Sequence, residues 1–533
     1  MKILSAAQMR EVDRLTTEKF DIPSLSLMET AATRTVEAIE RKYGSMASKL
    51  VLVVSGRGNN GGDGAAIARQ LSHKSAEVTL LLLGRIDDAK GDALTNFKAA
   101  KAEADKAKLR MIEIETGEQF VYEANSLSYD FAVDAMLGTG LTRPASGVFA
   151  EAIEFLNGIR DSTPSIAVDL PSGLASDSSE LIGPAVRAHL TVTFTAPKVA
   201  NVLPPAAEFN GELVVAQIGS PDELIESAGS HLSLVEPEMV QDWLARSRRA
   251  ADAHKGDVGK VLVIAGSRGK TGAACLTGEA ALRAGCGLVT VATPLTCQPV
   301  VASSLIPECM TEPLAETSTG TVSDRAIDFA LDAAAQRDVV AMGPGLGSSD
   351  ESTKKFVRSL VERRLRPMVL DADALNALAP WSAELRGSRE LPMILTPHPV
   401  EMGRLVGEKL GDATARLELA RNFAIEHYVI LVLKGSRTAI AAPDGELYIN
   451  PTGNPGMATG GTGDVLTGII AGLTAQKPDD PLGATIAAVY LHGLAGNIAA
   501  NRIGTRAMIA SDITAFLGEA FITAGGDEER FQT

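Results

Sequence analysis

Aromatic residues are scarce in this 533-residue chain, at 4%. Its cores must therefore be built from Ala, Val, Leu and Ile, a mix suited to helices packed on buried parallel strands. There are only four cysteines, Cys275, Cys286, Cys297 and Cys309, with no C-x-x-C pair and no histidine at zinc-finger spacing. This excludes a structural zinc site and a disulfide framework, and reads as buried thiols in a reducing compartment. Cations are outnumbered, 50 Lys and Arg against 66 Asp and Glu, for a net charge of −16. Non-specific nucleic-acid binding and adhesion to anionic membranes both need a basic face, so neither partner is expected. Long apolar runs are missing too. The start, Met1-Lys2-Ile3-Leu4-Ser5, offers only Ile3 and Leu4 where a signal peptide needs about 7–15 apolar residues. Blocks such as 80–83 are strand-sized, against the roughly 18 residues that span a bilayer. A cytoplasmic protein is expected. No G-x-x-x-x-G-K-[ST] loop occurs, which excludes a Walker-type NTPase; Gly266-Ser267-Arg268-Gly269-Lys270-Thr271 looks similar but has the wrong spacing.

What is present is an ordinary globular balance, 45% hydrophobic and 22% charged, which sets aside disorder and collagen-like repeats. At roughly 150 residues per domain the length predicts about two to four domains. Strands are expected at 50–55, 78–83, 131–135, 165–170 and 190–195, with helices at 65–72 and 94–109. Ahead of them, 5–43 reads as helical, with Ser5 capping 6–19. The pattern restarts with a strand at 260–265 and a helix at 273–284, then strands at 288–292, 339–342, 368–370, 393–396 and 430–433. Such alternation implies parallel sheets with helices on both faces. The stretch 232–250, carrying Arg246, Arg248 and Arg249, is expected to be a solvated linker between domains at 1–232 and 238–533.

In the first half, Ser55-Gly56-Arg57-Gly58-Asn59-Asn60-Gly61-Gly62-Asp63-Gly64 follows a strand and opens a helix. Gly56, Gly58 and Gly61 satisfy G-x-G-x-x-G, the dinucleotide fingerprint. Two features depart from an ordinary NAD site. The second strand ends Leu83-Gly84-Arg85, with no acid for the ribose hydroxyls. Asn59, Asn60 and Asp63 offer oxygens, which suit a hard cation or a polar ring better than a pyrophosphate. Asp134 ends another strand ahead of Gly138-Thr139-Gly140-Leu141-Thr142-Arg143-Pro144, and Asp169 ends a third ahead of Pro171-Ser172-Gly173. Ligands bind outside the carboxyl ends of strands in an open parallel sheet, so the three loops should converge there.

In the second half, Asn450 to Asp464 reads NPTGNPGMATGGTGD and runs into an apolar helix. Gly460, Gly461 and Gly463 leave NH groups bare at that helix start, a site for the charge on a transferring phosphoryl group. Asp464, in the first turn, can act as general base toward a substrate hydroxyl. Upstream, Lys434-Gly435-Ser436-Arg437-Thr438 follows a strand and supplies cations and hydroxyls for a nucleotide's phosphates. Gly343-Pro344-Gly345-Leu346-Gly347 and Thr396-Pro397-His398-Pro399-Val400-Glu401 also end strands, and His398, rigid between two prolines, is favoured for ligand contact.

The set GRGNNGGDG, VDAMLGTG and VDLPSG resembles the NAD(P)H-hydrate epimerase domain over about residues 1–220. The resemblance implies that Asn60, Asp134 and Ser172 help bind potassium. It implies that Asn59, Asn60, Gly61, Gly62 and Asp63, with Gly138 to Pro144, hold the hydrated nucleotide, and that Asp169 lies at its reacting ring. Residues 240–533 resemble the ribokinase-like superfamily, and NPTGNPGMATGGTGDVLTG with GPGLG and TPHPVE looks like the NAD(P)H-hydrate dehydratase domain, although Val400 stands where glycine is common. That likeness implies Asp464 as catalytic base, Ala274, Gly345, His398 and Asp464 at the hydrated substrate, and Lys434 to Thr438 with Gly461, Thr462 and Gly463 at the nucleotide. The epimerase-then-dehydratase order resembles the bacterial bifunctional repair proteins. It implies an α/β chain of two three-layer αβα domains, Rossmann-like then ribokinase-like, acting on hydrated NADH and NADPH (NADHX and NADPHX). ADP, or ATP as in eukaryotic members, would be co-substrate, with magnesium and potassium as cofactors. A homo-oligomer is expected. Two other readings stay open: a small-alcohol or vitamin-precursor kinase with a Rossmann-like regulatory module, and a non-catalytic dimerisation module like those of RNA-decapping scaffolds.

Overall fold

A computed structural model describes residues 1–104, 108–126 and 128–525. The chain divides into two compact units, Met1–Leu232 with 412–414, and Ser233–Gly411 with 415–533.

The first unit is built on seven strands: β1 Leu50–Ser55, β2 Glu77–Leu83, β3 Leu109–Ile114, β4 Phe131–Ala135, β5 Ser165–Val168, β6 Leu190–Phe194 and β7 Glu212–Ala216. They pair in parallel in the order β3-β2-β1-β4-β5-β6-β7. Because side chains alternate along a strand, Val51, Val53, Leu80 and Leu82 enter one core while Leu52, Val54, Leu81 and Leu83 enter another. Helices Ser24–Tyr43, Asn59–His73 and Gly91–Ala104 cover the first face. Helices Gly117–Ala124 and Val148–Gly158 cover the second. The strand order reverses between β1 and β4, the switch point where doubly wound sheets open a crevice.

The N-terminal helix Ala6–Phe20 starts as expected at Ser5, in a capping box with Gln8. Helix Asn59–His73 begins six residues earlier than expected, inside the glycine loop. Glycine's poor helix propensity argues against that start, but packing overrides it. A Cβ on Gly61 would lie 1.7 Å from the Gly56 carbonyl oxygen, and one on Gly56 2.0 Å from that of Met136. These fingerprint glycines let the loop press against β4, whereas Gly58 has open space around it. The helix expected at 94–109 ends at Ala104; residues 105–107 lie outside the described residues, and Leu109 begins β3.

The second unit carries a ten-stranded sheet: β8 Leu232–Leu234, β9 Lys260–Ile264, β10 Leu288–Pro294, β11 Met310–Leu314, β12 Val339–Met342, β13 Met368–Leu370, β14 Met393–Leu395, β15 Ile430–Leu433, β16 Ala439–Ala441 and β17 Leu447–Ile449. The order is β11-β10-β9-β12-β13-β14-β15-β16-β17-β8, parallel from β11 to β15 and antiparallel from β15 to β17. Val261, Val263, Val291, Ala341, Val369 and Val432 share a core with helices Thr271–Arg283, Thr462–Gln476, Pro481–Ile503 and Ala510–Thr523. The linker expected at 232–250 instead holds β8 and helix Pro237–Arg246, whose Val240, Trp243 and Leu244 join this core. Pro481–Ile503 is long and apolar enough to cross a membrane, a run the composition did not suggest, and 72% of its apolar window is buried within the protein.

Gly61→Ala should destabilise the first unit by at least ~1–3 kcal/mol, because backbone must give way to the new methyl. Gly58→Ala should stay within ~0.5 kcal/mol of the parent. Scanning calorimetry of the full chain checks both, and equal stability of the two variants would refute the packing role.

Candidate active sites

At the carboxyl end of the first sheet lies a cavity of about 920 Å³. Arg57, Gly58, Asn59 and Asn60 line it after β1, Met136 to Leu141 after β4, Asp169 after β5 and Lys198 after β6. Met9, Arg10 and Asp13 line it from the N-terminal helix. Lys198 is 1% exposed. Its Nζ donates to Asp169 Oδ1 at 2.5 Å, to Thr193 Oγ1 at 2.9 Å and to the Phe194 carbonyl at 3.3 Å. Thr193 Oγ1 in turn donates to Asp169 Oδ1 at 2.9 Å. Asp169 itself has φ 64°, a left-handed conformation uncommon for a side-chain-bearing residue, and such outliers gather at functional sites.

Two more acids share this pocket. Burial, reinforced by the Asp169 charge and opposed by Lys198, pushes Asp13 up to about 6. Burial, then the charges of Asp169 and Asp13, hold Asp63 well above the usual carboxylate range. Beneath them Asp134 is fully buried and accepts from Ser172 Oγ at 2.5 Å and from Ser172 N at 2.8 Å. Burial, opposed by these bonds, raises Asp134 to about 6. The carboxamide of Asn60 is buried, and neither its oxygen nor its nitrogen finds a partner among the described residues. Orphaned buried polar atoms are rare in folded proteins and call for a ligand. The local donors are amide, hydroxyl and carboxylate oxygens, which fit a hard cation such as potassium.

In the second unit the loop before helix Thr462–Gln476 ends at Gly461, φ 92°, and places Asp464 in the first turn. The buried ring of His492 is kept neutral, its acid form suppressed to about 4 chiefly by burial, and its Nε2 donates to the Thr462 carbonyl at 3.1 Å. Asp371, 1% exposed, follows β13. It accepts from Lys434 Nζ at 2.6 Å on one oxygen and from Thr467 Oγ1 at 2.7 Å on the other. Thr467 stands three residues after Asp464, so Asp371 ties that helix turn to the sheet. Gly463 leaves room for the pair, since a Cβ there would lie 3.2 Å from Lys434 Nζ. Burial, then the Asp371 charge, opposed by Lys434, raises Asp464 to about 7. Asp373 adds to the rise, and itself accepts from Lys270 at 3.2 Å and from Gly347 N at 2.8 Å.

A family model described as "YjeF-related protein N-terminus" matches residues 24–200, and one described as "NAD(P)H-hydrate dehydratase" matches 261–518. The bifunctional NAD(P)H-hydrate repair enzyme Nnr of Moorella thermoacetica is 45% identical over 97% of this chain and 96% of its own. The chain belongs to the family of bifunctional NAD(P)H-hydrate repair enzymes. The Nnr of Thermofilum pendens is 37% identical over 98% of this chain and 96% of its own. A solved ADP/ATP-dependent NAD(P)H-hydrate dehydratase from Bacillus subtilis, co-crystallised with ATP and Mg2+, is 32% identical over 55% of this chain and 98% of its own, with a TM-score of 0.47.

Set against the residues that the family resemblance implied, Asn59, Asn60, Asp63, Gly138, Thr139, Gly140, Leu141 and Asp169 line the first cavity. Gly61 and Gly62 serve close packing, and Thr142, Arg143 and Pro144 do not line that cavity. Gly345 packs on the start of the helix bearing Ala274, its Cβ position 3.0 Å from Ala273 Cβ. The Lys434 ammonium is paired with Asp371 at 2.6 Å. The His398 ring caps helix Pro399–Val406, its Nδ1 accepting from Val400 N and Glu401 N, and its Nε2 lies 3.4 Å from Glu401 Oε1. Arg437 donates to the Pro451 carbonyl at 2.6 Å, and Thr438 closes a turn onto Gly435. Lys198, Asp13, Asp371 and Thr467 went unnoticed in the sequence. Lys198 and Asp371 follow strand ends, just as Asp169 does, and that position was the available signal.

Asp464 carries a stability signature. Between about pH 4 and 7 the folded state keeps a proton that the unfolded chain has released, so stability falls as pH rises through that window. Asp464→Asn should therefore exceed the parent by ~1–3 kcal/mol at about pH 8 and match it near pH 4. Denaturation at the two pH values checks this.

Proposed function

We propose that the first unit interconverts the R and S hydrates of NADH and NADPH, and that the second dehydrates the S epimer at the expense of ADP, with ATP as a possible substitute, in the cytoplasm. The observation that carries the second assignment is Asp464, a carboxyl raised to about 7 at the start of a glycine-led helix. A general base is most effective when its acid strength lies near working pH. The hydrate's ring hydroxyl is a poor leaving group. Asp464 takes its proton, and the hydroxyl oxygen attacks the terminal phosphoryl of ADP and displaces AMP. The backbone NH groups of Gly461, Thr462 and Gly463 meet the charge on that phosphoryl. The ring nitrogen then expels phosphate, and loss of the neighbouring C–H proton restores the conjugated ring. Lys434 and Thr467 hold Asp371, which fixes the Asp464 turn. Magnesium would neutralise phosphate charge, and it would arrive on the nucleotide. Among the described residues no group of three or more His, Cys, Asp and Glu is assembled for a metal.

In the first unit Asp169, anchored by Lys198, exchanges protons at the hydrated ring. Asn60, with Asp134 and Ser172, would hold potassium, whose charge would steady the bound nucleotide. The orphaned Asn60 carboxamide supports this.

Asp464→Asn should lose about 10²–10⁴-fold in turnover while nucleotide affinity stays within a few-fold. Recovery of the reduced-nicotinamide absorbance, with AMP and phosphate measured alongside, checks this. Near-normal turnover, or recovery without AMP, would refute the mechanism. Asp169→Ala should stop interconversion of the epimers above its spontaneous rate and leave dehydration of the S epimer intact.

A further inference from the structure

Asp13 lines the first cavity from the N-terminal helix, away from the strand ends that supply Asp169 and Lys198. The helix Ala6–Phe20 is pinned at its start by the Ser5–Gln8 capping box and by Ala6 N donating to Asp177 Oδ1 at 2.7 Å. Its Met9 and Val12 are buried in a small core with Leu4, Ala196, Leu224 and Ile225. Asp13 is therefore held in place on the cavity wall. Its Oδ1 is buried and finds no partner among the described residues. Asp169 is in the opposite condition. Its Oδ1 takes bonds from Lys198 and Thr193, and Oδ2 is bonded by none of the described residues. One cavity thus holds a carboxylate bonded to an ammonium and a carboxyl whose Oδ1 has no hydrogen-bond partner among the described residues, with only the more distant Lys198 charge favouring its ionised form. The latter environment favours the protonated acid. The charged groups facing Asp13 are Asp63, Asp169 and Lys198 from the sheet side and Arg10 on its own helix.

Inverting the hydroxyl-bearing carbon requires proton traffic on two faces of the ring, and Asp169 can serve only one. We propose that Asp13 is the second acid–base group of the epimerisation, serving the ring face that Asp169 does not. The inference rests on the epimerase reading of the first unit. The carbon that bears the hydroxyl is bonded to the ring nitrogen. The nitrogen lone pair forms a C=N bond as the C–O bond breaks, and Asp13 gives its proton to the departing hydroxyl, which leaves as water. A second water adds to the other face, the C=N electrons return to nitrogen, and Asp169 accepts the proton. One water leaves, one enters, one proton passes from Asp13 to Asp169, and nothing is oxidised or reduced. The opposite epimer uses the same two groups in exchanged roles.

The test is Asp13→Asn in the full chain. Supplied R epimer is followed through ADP-dependent dehydration, in wild type and variant, in heavy-oxygen water. The wild type should incorporate solvent oxygen on each inversion. Asp13→Asn should lose about 10²–10⁴-fold in kcat for epimerisation with KM within a few-fold. It should dehydrate supplied S epimer at the wild-type rate. Its melting temperature should be no lower than wild type, because a half-buried acid whose Oδ1 lacks a partner is replaced by a neutral isostere. A residue with only a structural role would show the reverse. Epimerisation within about threefold of wild type, a loss matched by a lowered melting temperature, or a defect in Asp63→Asn but not in Asp13→Asn would overturn the proposal. Inversion by the wild type without oxygen exchange would overturn the chemical step. A wild type that does not epimerise at all would remove the epimerase reading, and the proposal with it.

Discussion

A buried lysine–aspartate pair organises each unit: Lys198 with Asp169 at 2.5 Å in the first, Lys434 with Asp371 at 2.6 Å in the second. Taking a lone charge out of water is costly, and a partner within hydrogen-bond reach is what keeps it ionised there. Each pair settles the charge of one carboxyl and leaves its neighbours to bear the desolvation. Asp13 and Asp63 are raised beside the first pair, and Asp464 beside the second. Removing the lysine would take from each site the ammonium that bonds its paired carboxyl, Asp169 in the first and Asp371 in the second. Burial raises the acids of both sites, and one ammonium in each opposes it.

That placement follows from sheet polarity. In both units parallel strands send their carboxyl ends to one edge, so residues just past a strand end converge without long loops. Asp169, Lys198 and the glycine loop follow β5, β6 and β1; Asp371 and Lys434 follow β13 and β15. The strands behind them are nearly solid Val, Leu, Ile and Ala, buried on both faces. Such a base holds strand ends firmly enough to keep Asp169 at φ 64° and to hold several polar groups in burial.

Most of the architecture was legible because both signals, β-branched runs and glycine loops, are local. All the strands expected in the second half are present, and so is the Ser5 cap. Of the strands that escaped notice, β3 and β11 are interrupted by charged residues such as Arg110, Glu113 and Glu312, while β8, β16 and β17 are only three residues long. Of the sites, the glycine loops and the acids beside them could be seen as motifs. Asp13 could not, because a single Asp on a helix announces nothing until the fold shows what it touches, and Lys198 and Asp371 had only their place after a strand end to mark them. The Lys434–Asp371 pair was equally out of view, because a cation beside a glycine turn names no partner in the sequence.

The glycine loop shows most clearly why motif and chemistry must be separated. G-x-G-x-x-G normally advertises a pyrophosphate at a helix N-terminus. Here Gly56 and Gly61 are consumed by backbone contact, with Met136 and Gly56 respectively. That contact presses the start of helix Asn59–His73 against the end of β4, and it turns Asn60 inward with its carboxamide unsatisfied. The same glycine pattern that brings phosphate to bare NH groups elsewhere thus brings a side-chain oxygen into the crevice. With Asp63 one turn further along that helix and facing the same cavity, the motif here gathers acids and an amide where an ordinary dinucleotide fold gathers bare NH groups.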